Sequence, residues 1–167
     1  MNLVNDELTI RDRLQEVAIF SGLSRDYREE AKQTWKLLEP FIERILNRFY
    51  NFIEDNGFKE EVDKATRELL IAKQYDHWKN LFRTEFTDEY INSVPKIGLT
   101  HKNINLSAST YVSGYGFLLT NMSDHVSDIL KDDPELALKL IRTINSLVLI
   151  DMSLALSVYN SEVVFVD

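Results

Sequence analysis

The chain has no cysteine, which excludes disulfides, thiolate metal sites and thiol nucleophiles. Glycine and proline are scarce, five and three in 167 residues. That is too few to supply the turn every roughly 8–12 residues that an all-β chain needs. Positive charge is in deficit. Nineteen Lys and Arg face 27 Asp and Glu, for a formal net charge of −8, so neither nucleic acid nor an anionic membrane is expected as a partner. The start, MNLVNDELTIRDRL, lacks a cationic segment followed by an apolar one. No apolar run reaches the roughly 18 residues of a membrane span; the longest, SLVLIDMSLAL, is interrupted by Asp151. A cytoplasmic location is the expectation. No internal repeat, HExxH, EF-hand loop or Walker sequence is present. Ser123-Asp124-His125 sets three triad residue types side by side, but adjacent residues on a helix point in different directions, and no catalytic site is expected there.

What is present reads as helices. The length fits one domain over 1–167, with a leading segment or short helix in 1–20 and a core over 21–162. Residues 9–17 read as the leading helix. SRDYREEAKQTWKLLE offers Ser24 as an N-cap and puts Tyr27, Ala31, Trp35 and Leu38 on one face. Pro40 suits the first turn of a further helix, whose stripe of Phe41, Ile42, Ile45, Leu46, Phe49, Tyr50 and Ile53 ends at Asn56-Gly57. A helix over about 59–82 has its stripe broken by Lys73, Gln74 and His77. Another starts at Thr87, is disrupted at Pro95 and ends near Asn105. Helices over about 107–131 and 134–161 follow. The last is apolar on more than one face around 147–156. Such a helix is buried on more than one side, either by a second copy of the chain or as the central core helix of a monomer.

Only three histidines occur. His101 shares a helical face with Ile97 and Ile104, which fits either a hydrogen-bonded core histidine or an axial ligand to a group that the chain does not supply. Tyr50 lies on an apolar stripe, where its hydroxyl needs a partner: a backbone carbonyl, the surface or a bound polar ligand. His77 falls on the same face as Leu69 and Lys73, at four-residue steps. His125 reads as surface or interface.

PFIERILNRFY, HWKNLF and IGLTHKNINLSASTYVSGY, in that order, resemble the haem-binding sensor globin domain of globin-coupled sensors, which are related to protoglobins. The resemblance runs from about Tyr27 to Tyr159. It implies an all-α globin fold with an extra N-terminal helix, no helix D, and long G and H helices that pair across a homodimer. It makes His101 the proximal ligand to the iron of haem b. Tyr50 becomes the distal residue that hydrogen-bonds the gas, and Leu70 the apolar distal residue on helix E. Phe49, Lys73, Ile97, Tyr111 and Tyr115 complete the expected haem pocket. Lys73 departs from the family, some of whose members carry a small or hydroxyl side chain there. His77 is a minor alternative as a second iron ligand; a polar contact at the helix end is the plainer role.

The expected function is a haem-based oxygen sensor that also takes carbon monoxide and nitric oxide. It has no catalysis of its own and signals through an output domain in cis or in trans. A haem-free globin-like signalling domain and a haem enzyme acting on nitric oxide or peroxide are the competing readings.

Overall fold

The computed structural model describes residues 9–57 and 63–159. Among the described residues the chain forms seven helices and no strand: α1 (Ile10–Phe20), α2 (Tyr27–Leu38), α3 (Ile42–Asp55), α4 (Lys64–Arg83), α5 (Asp88–Asn103), α6 (Ala108–Ile129) and α7 (Pro134–Leu156). Residues 1–8, the expected helix start at 59, the expected absence of helix D and the end of the last helix at 160–162 lie outside the described residues.

Local chemistry sets most boundaries. Thr9 and Asp12 form a reciprocal capping box at the head of α1. Thr87, Ser107 and Asp133 accept from backbone N–H groups at the heads of α5, α6 and α7, and Pro134 occupies the first turn of α7. Ser24 is not the cap of α2. Asp26 holds that position without a side-chain bond, because the Ser24 hydroxyl donates instead to Glu30 at 2.8 Å. Pro40 sits in the turn before α3 rather than in its first turn.

Pro95 does not disrupt the helix expected to break there; α5 runs through it from Asp88 to Asn103. An internal proline costs about 3 kcal/mol. Here Ile91, Val94, Pro95 and Gly98 are all buried, and packing on α7 holds the helix together against that local cost.

The core is organised around α7, against which α1, α2, α4, α5 and α6 all pack. Leu140, Ile144, Leu147, Ile150, Leu154 and Ala155 are fully buried. The two-sided apolar pattern of this helix is therefore satisfied inside one chain, and it is the central-helix alternative that accounts for it. A narrower apolar stripe still faces outward, with Leu138 and Leu149 exposed and Ile141, Met152 and Leu156 half-buried. Among the described residues no helix is long and apolar enough to cross a membrane.

Helices α5 and α7 approach closely at Gly98. A Cβ there would stand 1.9 Å from the carbonyl oxygen of Ala155 on α7. Only hydrogen fits, and the obstacle is backbone that cannot rotate aside. Gly98→Ala is expected to destabilise the fold by about 1–3 kcal/mol or more in urea denaturation. Gly116, whose Cβ would meet nothing within 4 Å, is the control: Gly116→Ala should stabilise by roughly 0.5–1 kcal/mol through helix propensity. Equal effects of the two changes would refute the tight α5–α7 crossing.

Candidate functional site

Four helices carry the expected site residues. His101 lies in the last turn of α5. Its Nδ1 is 2.8 Å from the carbonyl oxygen of Ile97, one turn back. A carbonyl only accepts, so Nδ1 carries the proton and donates. In the neutral ring Nε2 then keeps its lone pair, and no described residue bonds it. An imidazole oriented through one nitrogen and left free at the other is the preparation that a metal-ligating histidine requires. Ile97 contributes through its backbone, a role that side-chain patterning does not reveal. The Tyr111 ring lies 4.8 Å from the imidazole, centroid to centroid.

The opposite half is built by α3 and α4. Phe49 and Tyr50 meet edge to face with centroids 5.5 Å apart, and Tyr50 is only 8% exposed. Burial raises the Tyr50 phenol above its ordinary value of 10, with a hydrogen bond to Gln74 and the charge of Arg67 opposing in part. The hydroxyl therefore stays protonated and serves as a donor near neutral pH. Gln74, read from sequence only as a break in an apolar stripe, is thus the polar side chain set near the phenol on this side. Leu70, one turn earlier on α4, is half-buried, and Leu69 is 55% exposed. Lys73, expected in the pocket, is exposed. No residue of α4 before Trp78 is fully buried, so protein leaves much of this segment's apolar surface uncovered.

Helix α6 joins the halves. Tyr111 meets His101, while Gly114 faces the Phe49 ring, which a Cβ would touch at 3.5 Å. Three residues of helix separate these contacts, about 4.5 Å along the axis. Meanwhile α4 leans on α2 and α3, whereas α5 leans on α7 and α1. The two helices that carry the opposing site residues thus differ in their main supports, and both also touch α7.

Behind the proximal half lies a polar cluster that sequence reasoning missed, having read Asp151 only as an interruption of an apolar run. Asp151 is fully buried. Its carboxylate accepts from Tyr90 at 2.5 Å, Tyr115 at 2.7 Å and His77 Nε2 at 2.9 Å. Burial pushes the carboxyl up, but the His77 charge and the three hydrogen bonds hold it below its ordinary value. Burial pulls His77 down, and the Asp151 charge and hydrogen bond outweigh it, leaving the imidazole above 6.5. The Nε2 of His77 is therefore occupied by Asp151, which matches the polar-contact role and speaks against a second iron ligand. Tyr115, expected in the pocket, points its hydroxyl at the same carboxylate. His125, expected at the surface or an interface, is half-buried and packs on Phe41 with centroids 4.1 Å apart.

A protein-family model described as Protoglobin matches residues 10–163. The chain belongs to the Protoglobin family. Comparison with curated proteins finds no match. As a Protoglobin, the seven-helix bundle is a globin fold, and the family is one of haem-binding globins that take diatomic gases.

The His77–Asp151 pair gives stability a pH signature. His77 is raised on folding, so its contribution is complete below 6.5 and is lost as pH rises through the folded value. Asp151 is lowered, so its contribution is present above 3.8 and is lost as pH falls. Urea midpoints should therefore decline from about pH 6.5 upward, and His77→Gln should flatten that decline. An alkaline limb unchanged in His77→Gln would disprove the pairing.

Proposed function

We propose that this Protoglobin is a haem-based gas sensor whose default ligand is oxygen. One observation carries the reading: the His101 imidazole is anchored at Nδ1 and bonded at Nε2 by no described residue, and its neighbour Tyr111 stands one helical turn along α6 from Gly114, which faces half-buried Phe49 beside buried Tyr50. The residues present fit haem. A donor histidine stands on one side, a protonated phenol on the other, and apolar side chains of α4 remain to be covered. With no cysteine for a thioether link, the group would be held non-covalently, as haem b. Haem, when bound, supplies a ferrous iron that takes oxygen, carbon monoxide or nitric oxide reversibly.

The protein's own contribution is selective. His101 Nε2 would hold the iron, kept in orientation by the Ile97 carbonyl. Tyr50 would donate to the gas, with Gln74 beside the phenol. A gas that takes up more negative charge gains more from a phenol donor, which favours oxygen over carbon monoxide. One such hydrogen bond is worth about 0.5–1.5 kcal/mol, rising to ~3 when the acceptor is charged, or roughly 2- to 150-fold in affinity. Tyr50, raised above 10 by burial, is a donor and not a base, which favours a binding module over a catalyst.

Signalling needs the ligand to favour one helix arrangement over another. The proximal helix is tied to α7 on both sides of His101. Gly98 abuts Ala155, and Lys102 Nζ donates to the carbonyl oxygens of Val158 at 2.8 Å and Tyr159 at 3.2 Å. A shift at His101 thereby bears on the C-terminal end of α7. The outward stripe of Leu138, Ile141, Leu149, Met152 and Leu156, with Val112 and Leu119 on α6, supports a homodimer through the last two helices. An output domain in cis or in trans would read the change in that assembly. We place the protein in the cytoplasm.

The reduced protein should show a strong Soret band that moves on adding oxygen and is lost or altered in His101→Ala. A haem-supplemented preparation without a specific band would overturn the reading. Tyr50→Phe should speed oxygen dissociation by roughly 2- to 150-fold in stopped-flow measurement and leave carbon monoxide binding nearly unchanged. An unchanged oxygen off-rate would remove Tyr50 from the distal role.

A further inference from the structure

The cluster around Asp151 is not needed to hold haem, yet it reaches the proximal histidine in three steps. A carboxylate only accepts, so Tyr115 spends its hydroxyl proton on Asp151 Oδ2, 2.7 Å away. The Tyr115 oxygen is then left as an acceptor. Its neighbour at 3.5 Å is the Tyr111 hydroxyl, which must be the donor of that longer contact. Every hydroxyl proton in the chain thus points towards Asp151. The Tyr111 ring, anchored at its hydroxyl end, lies between His101 at 4.8 Å and Tyr159 at 5.8 Å. Asp151 is fully buried, and Tyr111 and Tyr115 are 7% and 9% exposed, so water does not compete freely for these bonds.

We propose that Asp151 is a positioning residue for His101, acting through Tyr115 and Tyr111 to set the ring that abuts the imidazole. The inference rests on His101 as the haem ligand only for its functional consequence; the chain of contacts exists without the cofactor. It makes α7 a direct contributor to proximal geometry, in addition to the backbone contacts at Gly98 and Lys102. The route also runs in reverse: a displacement of α7 at Asp151 is transmitted to the imidazole.

Tyr90 is a built-in control. It gives Asp151 an even shorter hydrogen bond, 2.5 Å, from the first turn of α5, and no ring or hydroxyl contact joins it to Tyr111. Tyr115→Phe and Tyr90→Phe each remove one oxygen and one donor from the same carboxylate while keeping the ring. The ring nitrogen resonances of His101 would be read by NMR in cofactor-free protein, and the iron–histidine stretching band by resonance Raman in haem-loaded protein. Tyr115→Phe should move both signals clearly further than Tyr90→Phe does, even where both lower stability alike. Asp151→Asn should reproduce the Tyr115→Phe displacement; if it does not fold, the tyrosine pair decides. Unmoved His101 resonances in folded Tyr115→Phe, or equal displacement by Tyr90→Phe, would overturn the proposal. If haem does not bind at all, the sensor reading fails, and the cofactor-free NMR comparison still decides this one.

Discussion

A fully buried carboxylate in a small helical domain cannot stand alone, and Asp151 sets the terms for its surroundings. Stripping a charge of water costs several kcal/mol unless partners replace the lost hydration. Three donors do so, one each from α4, α5 and α6, converging on α7. Removing any one partner leaves the others facing an under-compensated charge. The four helices are therefore held in one mutual arrangement, at a place where apolar packing alone would tolerate sliding. Such a cluster need not add net stability over a well-packed apolar core. Its contribution is geometric, and it lies where α5 must keep a fixed relation to α6 and α7.

That requirement explains the unusual features of α5. A helix carrying Pro95 and Gly98 has weak intrinsic propensity. Gly98 admits the carbonyl of Ala155 at a distance closed to any side chain, and Lys102 supplies charge to the carbonyls at the end of α7. The helix is thus stable because of what it lies against. Between these two contacts stands His101, whose own anchor is the Ile97 carbonyl. Its position is consequently set by α7 at three removes: through backbone contact, through the lysine and through the tyrosine chain.

How much of this could be read beforehand depended on the kind of signal. The helical stripe of α3, ending at Asn56-Gly57, is a period-3.6 pattern with strong punctuation, and the helix formed where the pattern lay. His101 and Tyr50 stand out by their positions on apolar faces, Leu70 only through resemblance to a family, and they lie on α5, α3 and α4. Gln74 and Asp151 were invisible for a common reason. A polar residue inside an apolar stripe looks like an interruption until the partner from another helix is known, and Tyr90, Tyr115 and His77 lie 36 to 74 residues from Asp151. Pro95 misled in the opposite direction. Its local cost is real, but the burial of Ile91, Val94 and Gly98 around it is a tertiary fact. The two-sided apolar character of α7 was legible as a dimer helix or a central one. Five helices packed around it cover its inner faces, and its outward stripe is what a dimer would use.

The outward faces then acquire a different significance. Once the inner sides of α7 are committed to the monomer, the exposed stripe through Leu138 and Leu149 is the surface left for another chain, and it is narrow. A narrow seam aligned along a helix is sensitive to small rotations of that helix, because a few degrees carry its leucines out of register. The same helix carries Asp151 on its buried side. A displacement beginning at His101 and passing through Tyr111, Tyr115 or Gly98 would reach α7 at its inner face, and the proposed seam on its outer face would move with it. Burying the charge and exposing the stripe on one helix thus lets α7 link the proposed proximal site to the proposed association surface.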